Sequence, residues 1–277
     1  MKNIIAAFDG LKMSESTLQY AIYSAKRCNA QITGVFLREF TKVGYAVYAT
    51  LEEHGSSRGI FDEINRTDQL SQDKSADLFK TVCEENKVRY IIHKDKGNTL
   101  EELIHESVYA DLLIIDAWET FSYIENDLPA WFVKNVLHDA HCPVLAVPKQ
   151  FRPIKKVIFL YDGTPSAVHA IKMFSYTMQE LKNMEIELLC FNNDSKKLHF
   201  PDNYLIKEWM NNHFPQADFT LVKGKVHDIP ALLSHIDISS LVVAGSYHRS
   251  QLSMWLHKSV ADFLIRDSAV PIFISHI

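Results

Sequence analysis

The chain has 277 residues, of which 47% are hydrophobic and 23% are charged, and its formal net charge is −5. This length suits two domains of about 140 residues each, and the composition is that of a globular protein with enough apolar residues for a core. The acidic balance argues against a nucleic-acid-binding protein, which normally carries a basic surplus, so we expect no nucleic-acid partner.

The first half of the chain alternates short apolar runs with longer amphipathic segments. An amphipathic segment from Ser14 to Arg27 has apolar residues at helical spacing, and Ser14 is placed to cap it. An insertion at about 38–70 follows the second apolar run; we interpret it as a surface excursion, although a loop of this length can also cover a pocket or a partner. The apolar runs predict five strands, near 3–8, 31–37, 89–94, 111–115 and 143–147.

The second half shows the same alternation. Thr164 followed by Pro165 predicts a helix start, with threonine as the N-cap and proline at the first helical position. The continuous apolar runs "LLII" and "LVVA" are typical of parallel strands covered on both faces, so each half is expected to form a doubly wound sheet with right-handed crossovers. The predicted strands of this half lie near 156–161, 185–191, 217–223, 239–244 and 271–275.

Three landmarks of the first half return in the second half in the same order. "KNIIAAFDG" at 2–10 returns as "KKVIFLYDG" at 155–163, "ADLLIID" at 110–116 as "SSLVVAG" at 239–245, and "HCPVLAVP" at 141–148 as "AVPIFISH" at 269–276. Recurrence in one order indicates a tandem duplication. We predict two domains, 1–148 and 153–277, joined near "KQFRP" at 149–153.

These landmarks resemble the universal stress protein family in its tandem two-domain form, over essentially the whole chain. The resemblance is carried by "FDG" and "YDG" after the first strands, by "AGSYHRS" after the fourth strand, and by the ending "HDAHCPVLAVP". It implies two doubly wound parallel-sheet α/β domains with strand order 3-2-1-4-5, the adenine-nucleotide alpha-hydrolase-like class. Members commonly associate through their last strands. "PVLAV" and "PIFIS" are therefore expected to pair within the chain as an intramolecular pseudo-dimer, and a homodimer stays open.

The resemblance also implies a candidate nucleotide site in the second domain. Many members bind ATP through Gly, two residues, Gly, nine residues, Gly, then Ser or Thr and often Val, while the Asp that ends the first strand helps to hold the nucleoside. In a sheet of this order the ligand crevice lies between the carboxyl ends of strands one and four. The matching residues here, on which ATP or another adenine nucleotide would depend, are Asp162, Gly245, Ser246, His248, Lys258, Ser259 and Val260.

Two glycines of the family pattern are replaced in this second domain, by His248 and Lys258. Glycine adopts positive φ freely and lets backbone N–H groups approach phosphate, whereas a larger side chain adopts it at a cost and fills phosphate space. We therefore expect a weakened site kept for packing. The alternative is that the charges of His248, Arg249 and Lys258 replace the lost donors, with Ser259 near a helix start.

The first domain departs further from the family pattern. Asp116 or Ala117 stands at the first glycine, and Ala130, Trp131 and Phe132 stand where the second domain has Lys258, Ser259 and Val260. Asp116 with Glu119 would repel an anion, and Asp9 is interpreted as a remnant of the first-strand carboxylate. We predict that this site is lost. The aromatic residues that could instead line an apolar pocket, or simply pack in the core, are Trp118, Phe121, Trp131 and Phe132.

Neither a catalytic nor a metal motif stands out. There is no GxxxxGK[ST], GxSxG or SGGxD-like loop, and His138 and His141 beside Cys142 have no third partner in sequence. The four scattered cysteines, the short first apolar run and the lack of a long apolar stretch predict a reduced, cytoplasmic setting without a membrane partner. We predict a non-catalytic stress-response binding or regulatory protein. The alternatives are an ATP-binding switch that slowly hydrolyses ATP through the second domain, and an adaptor or receptor for a non-nucleotide small ligand.

Overall fold

A computed structural model describes residues 1–10, 12–37, 58–94, 99–119, 131–192, 199–223, 231, 234–245 and 269–275. Ten strands appear in these ranges, and each begins and ends within one residue of its predicted limits. The strands are β1 (Asn3–Asp9), β2 (Gln31–Leu37), β3 (Tyr90–Lys94), β4 (Leu112–Asp116), β5 (Val144–Val147), β6 (Lys156–Tyr161), β7 (Glu185–Asn192), β8 (Asp218–Lys223), β9 (Ser240–Gly245) and β10 (Ile272–Ser275).

Helices connect these strands. The predicted N-caps are confirmed: Ser14 Oγ accepts a hydrogen bond from the Thr17 N–H at 3.3 Å, and Thr164 Oγ1 accepts one from the Ala167 N–H at 3.2 Å. The described helices are α1 (Glu15–Cys28), α2 (Arg58–Glu85), α3 (Thr99–Ser107), α4 (Trp131–Asp139), α5 (Pro165–Thr177), a short 3-10 turn (Gln179–Leu181) and α6 (Asn203–His213).

The insertion predicted at 38–70 is partly helical. Helix α2 already includes Arg58, so the last part of that segment is helical and is no loop. After Gly59 the sequence is rich in residues that tolerate a helix, and the single glycine does not interrupt it. The preceding residues, 38–57, lie outside the described residues.

All ten strands belong to one sheet, in the order β3-β2-β1-β4-β5-β10-β9-β6-β7-β8. Each half has the strand order 3-2-1-4-5, so the predicted fold class is confirmed. β5 and β10 pair antiparallel, with Ala146 opposite Ile272 and Val144 opposite Ile274, which confirms the predicted pairing of the last strands. This pairing hides one edge of each half and leaves β3 and β8 as the sheet edges. The domain limits 1–148 and 153–277 stay a prediction.

The two faces of the sheet carry separate apolar clusters. Side chains alternate between faces along a strand, so Ile4 and Phe8 join one cluster while Ile5 joins the other. Helices α1, α2, α5 and α6 of both halves pack on the first face, and α3 and α4 pack on the second. Both faces are therefore covered, as the continuous apolar strands predict.

The joint between the halves is packed against α1. The Phe151 ring lies 4.8 Å from the Tyr20 ring and 5.6 Å from the Tyr23 ring, centroid to centroid. The Arg152 N–H donates to Tyr20 Oη at 3.3 Å, and Tyr23 Oη donates to the Ile154 carbonyl at 3.4 Å. The segment thus connects the two halves through specific contacts.

Candidate functional site

The crevice that the strand order predicts lies at the carboxyl ends of β6 and β9. These strands are parallel neighbours, with Phe159 opposite Val243. β6 ends immediately before Asp162, and β9 ends at Gly245. The structure therefore brings Asp162 and Gly245 to one edge of the sheet, where open α/β sheets bind ligands. The other candidate residues lie outside the described residues, namely Ser246, His248, Lys258, Ser259 and Val260.

Asp162 holds the turn that leads into α5. Its Oδ1 accepts hydrogen bonds from the Thr164 N–H at 3.0 Å and from Thr164 Oγ1 at 2.7 Å. Between them Gly163 has φ +81°, and a Cβ at this position would lie 2.5 Å from Pro201 Cβ. Positive φ and close packing together require glycine here. The Asp-Gly pair therefore has a structural role in the turn, beside any role towards a ligand.

Gly245 lies against the first turn of α5. A Cβ on this residue would come within 2.5 Å of the Ser166 carbonyl carbon and oxygen and 2.6 Å of the Ala167 nitrogen. These are backbone atoms of a capped helix, so they cannot move aside cheaply. The motif predicted glycine for a phosphate, but this contact requires glycine for packing whether or not a ligand binds.

The first repeat has a carboxylate at the equivalent position. Ile4 lies opposite Leu112 in the first repeat and Val157 lies opposite Leu241 in the second, so Asp116 and Gly245 occupy the same register. Asp116 Oδ2 accepts a hydrogen bond from Ser14 Oγ at 2.8 Å, and its Oδ1 accepts one from the Trp118 N–H at 2.8 Å.

Ser14 is the N-cap of α1, so the Asp116 carboxylate lies at the positive end of that helix dipole. An external anion would be attracted to the same place. The first repeat therefore has an anion of its own where a phosphate would be stabilised.

Of the four aromatic residues named for the first repeat, the structure describes the side chains of Phe132 and Trp118. Phe132 is buried in the core cluster of the second face. Trp118 is half-buried, with Lys149 Nζ 4.5 Å from its ring centroid. Phe121 and the side chain of Trp131 lie outside the described residues. For Phe132, core packing is the correct one of the two interpretations.

Two buried groups beside the crevice, the Tyr161 hydroxyl and the Cys190 thiol, are held in their neutral forms. Burial raises the pKa of Tyr161 to about 12, and the Asp202 carboxylate acts in the same direction. Burial likewise raises the pKa of the Cys190 thiol to about 12, assisted by Asp162. Tyr161 Oη donates to the Pro201 carbonyl at 3.0 Å. Neither side chain is an activated nucleophile at neutral pH.

His138 of the first repeat is paired with a neighbouring carboxylate and belongs to no metal cluster among the described residues. His138 Nδ1 lies 2.6 Å from Asp139 Oδ1, and both side chains are more than a third exposed. Within the described ranges, no group of three or more His, Cys, Asp or Glu side chains is placed to hold a metal ion. No helix in those ranges is long and apolar enough to cross a bilayer.

A groove of about 450 Å³ between α5 and α6 was missed by the sequence analysis. Leu205, Trp209 and Asn212 follow helical spacing and so share one face of α6. That spacing is the signal that could have located the groove, but it is also the pattern of an ordinary core stripe. The residues that line the groove are Tyr161, Val168, Asp202, Leu205, Ile206, Glu208, Trp209 and Asn212.

Comparisons with known proteins agree with this fold. No protein-family model matches the chain. The universal stress protein Slr1230 of Synechocystis sp. is 24% identical over an alignment of 185 residues, which covers 60% of this chain and 62% of that protein. The chain therefore matches less than two thirds of the length of this curated relative.

Solved structures extend the similarity to the whole chain. A universal stress protein from Archaeoglobus fulgidus matches 99% of this chain and 98% of its own, with 17% identity and a TM-score of 0.69. Another universal stress protein, in complex with cAMP, matches 54% of this chain and 98% of its own, with 18% identity and a TM-score of 0.30. The first match establishes the shared fold. The resemblance to the universal stress protein family in its tandem form is thus confirmed, in sequence by the Synechocystis relative and in fold by the Archaeoglobus structure.

Proposed function

We propose that this protein is a non-catalytic stress-response binding or regulatory protein whose nucleotide site is lost in the first repeat and weakened in the second. The observation that carries the proposal is Asp116. Its carboxylate is bonded to Ser14 Oγ and to the Trp118 N–H at 2.8 Å each, at the start of α1. A triphosphate placed there would meet a fixed negative charge and would have to displace two hydrogen bonds.

The second repeat retains more of the site. Gly245 brings β9 close to the first turn of α5, and Asp162 stands beside it at the sheet edge. However, the two later glycines of the ATP-binding pattern are His248 and Lys258 in this chain. Their side chains need space that phosphate would occupy, and their backbones adopt positive φ only at a cost. The repeat is therefore proposed to bind ATP weakly at most.

The proposal also states that the protein catalyses no reaction. Tyr161 and the Cys190 thiol are two buried ionisable groups near the crevice among the described residues; burial raises the pKa of each to about 12, so both stay protonated at neutral pH. A general acid or base works best with a pKa near the working pH. These observations support a binding protein over the alternative of a slow ATPase.

The antiparallel pairing of β5 and β10 supports the proposal that the two repeats act as an internal dimer. One repeat would then serve mainly as a structural partner for the other. A further homodimer and a cytoplasmic location stay predictions.

Calorimetric titration with ATP tests the nucleotide proposal. We expect little or no heat from the wild-type chain at micromolar ATP. The double variant His248→Gly with Lys258→Gly restores the family pattern and is expected to gain measurable ATP binding, because two obstructing side chains are removed.

Adding Asp162→Ala to that double variant serves as the matched control and should abolish the gain. Micromolar binding of ATP by the wild-type chain would overturn the proposal. An ATP-dependent release of phosphate that Asp162→Ala removes would favour the switch instead.

A further inference from the structure

The groove between α5 and α6 is separate from the crevice. Neither Asp162 nor Gly245 lines it. It opens on the face of the sheet that carries the first apolar cluster, because Tyr161, Ile206 and the partly buried Trp209 belong to that cluster. Its volume of about 450 Å³ falls in the range of pockets that hold small organic molecules, roughly 300–1,000 Å³.

The floor of the groove is apolar and aromatic. Tyr161 is 1% exposed and Ile206 is 4% exposed, so both form a rigid base. Val168 of α5 and Trp209 of α6 are half-buried and form the walls, while Leu205, 64% exposed, forms a lip. Trp209 is held in place because its ring stacks on the His213 ring at 4.1 Å with a 22° interplanar angle. A flat apolar group would gain free energy by covering this surface.

The rim of the groove is acidic. Asp202 and Glu208 are both exposed, and neither carboxylate has a cationic or hydrogen-bonding side-chain partner among the described residues. Lys207, the basic residue beside them on α6, has its Nζ 5.8 Å from the Phe219 ring centroid, and it does not line the groove. The amide of Asn212 adds a further acceptor to the rim.

Asp202 is also fixed by its backbone. It has φ 44° and ψ 40°, the left-handed region that a non-glycine residue rarely adopts, and it precedes the first residue of α6. Its side chain makes no capping hydrogen bond to that helix, although aspartate at this position usually does. A carboxylate that leaves its own helix uncapped remains available at the rim.

From these observations we propose that this groove is a second binding site, for an organic cation with an aromatic or apolar body. The apolar body would lie on Tyr161, Ile206 and Trp209, and the cationic group would lie at the rim that Asp202 and Glu208 make acidic. Neutral and anionic molecules of the same shape would share the floor contacts but would lack the charge attraction. The proposal is independent of whether the crevice binds a nucleotide.

The test uses three dansyl probes that share one fluorophore and differ in charge. They are dansylcadaverine, which is cationic, dansylamide, which is neutral, and dansylglycine, which is anionic. With the full-length protein we expect a blue-shifted, stronger emission from dansylcadaverine and about tenfold weaker binding of dansylglycine, since the contacts with both carboxylates turn from attraction to repulsion.

Two variants separate charge from shape. The double variant Asp202→Asn with Glu208→Gln removes both charges, and asparagine tolerates the left-handed backbone at 202. We expect it to weaken dansylcadaverine binding about five- to tenfold and to leave dansylamide unchanged. Glu85→Gln, an exposed carboxylate on α2 of the other repeat, is the matched control and should change nothing.

Val168→Trp fills the groove and should abolish binding of all three probes. Circular dichroism verifies its fold, and the charge variant tests the proposal should this one fail to fold. Equal affinity for the three probes, or an unchanged dansylcadaverine affinity in the double charge variant, would overturn the proposal. Inhibition of dansylcadaverine binding by ATP would place the probe in the crevice and would overturn it as well.

Discussion

Gly245 and Asp116 occupy the same position in the two repeats but stabilise it in different ways. In the second repeat the backbone of β9 approaches the Ser166 backbone so closely that no Cβ fits. In the first repeat the Asp116 carboxylate accepts hydrogen bonds from Ser14 Oγ and the Trp118 N–H. Close backbone packing therefore stabilises the start of α5 in the second repeat, and a hydrogen-bonded carboxylate stabilises the start of α1 in the first. A motif that requires glycine at this position describes only the second repeat.

Replacing Gly245 with alanine tests the packing role. The new Cβ would lie 2.5 Å from backbone atoms of Ser166, so β9 or α5 must shift. Such overpacking costs about 1–3 kcal/mol, and we expect Gly245→Ala to lower the free energy of unfolding by at least that amount in a urea titration. The same variant is expected to be destabilised with and without ATP. A variant as stable as the wild type would contradict the packing role.

Sequence motifs predicted the position of some residues of the candidate site but not the contacts that these residues make. The "YDG" motif correctly placed Asp162 at the end of a strand, because a run of apolar residues that stops at Asp-Gly predicts a strand and then a turn. The motif could not reveal that Gly245 contacts α5 or that Asp116 bonds to Ser14. Those contacts join residues about 80 to 100 positions apart, and no local pattern encodes them.

At the scale of elements, the central strands such as β4 and β9 were predicted well because they are buried on both faces. A short, continuous apolar run with polar residues at both ends, such as Leu112–Ile115, is the pattern expected of a buried parallel strand. The start of α2 was missed because the segment around Gly59 mixes aromatics, glycines and charged residues, as loops do. The groove between α5 and α6 was missed because a helical stripe that contains Trp209 predicts core packing as readily as a binding surface.

The joint between the repeats offers a test at this scale. Phe151 lies on Tyr20 and Tyr23, and this contact holds the segment that contains the trypsin site Lys149. We expect Phe151→Ala to cost about 1–3 kcal/mol, less than a fully buried phenylalanine because the ring is half-buried. We also expect trypsin to cut the joint of the folded variant much faster than that of the folded wild type. Gel electrophoresis of samples taken during the digestion would measure the two rates.

Phe151→Leu is the control for that experiment, because it keeps an apolar side chain on the two tyrosines. It should be cleaved at a rate close to that of the wild type. Equal cleavage of the wild type and Phe151→Ala would mean that the contact does not hold the joint.

At the scale of the whole molecule, one sheet of ten strands joins the two repeats through β5 and β10. The cluster on the first face contains residues of both repeats, including Phe8, Phe159 and Phe273. Burial in the apolar clusters on the two faces of the sheet places several acidic protons in an apolar environment. The pKa is raised to about 12 for Tyr20, Cys83, Cys142, Tyr161 and Cys190.

These raised pKa values predict a loss of stability at alkaline pH. In the unfolded chain the thiols lose their protons near pH 9 and the tyrosines near pH 10, whereas the folded protein keeps them until about pH 12. The unfolded state therefore binds fewer protons above about pH 9, and the free energy of unfolding falls as the pH rises through this window. Below pH 9 these groups are protonated in both the folded and the unfolded state, so they add no pH dependence to the free energy of unfolding.

Urea titrations at pH 8, 9, 10 and 11 with a reducing agent present would measure this fall in the midpoint. Tyr161→Phe separates the effect of one buried proton from the loss of lysine charge, because phenylalanine has no proton to release in the unfolded chain. Its midpoint should fall less steeply above pH 10 than that of the wild type, even though the variant loses the hydrogen bond to the Pro201 carbonyl and starts lower. Parallel curves would mean that the Tyr161 proton is not held by burial in the shared core.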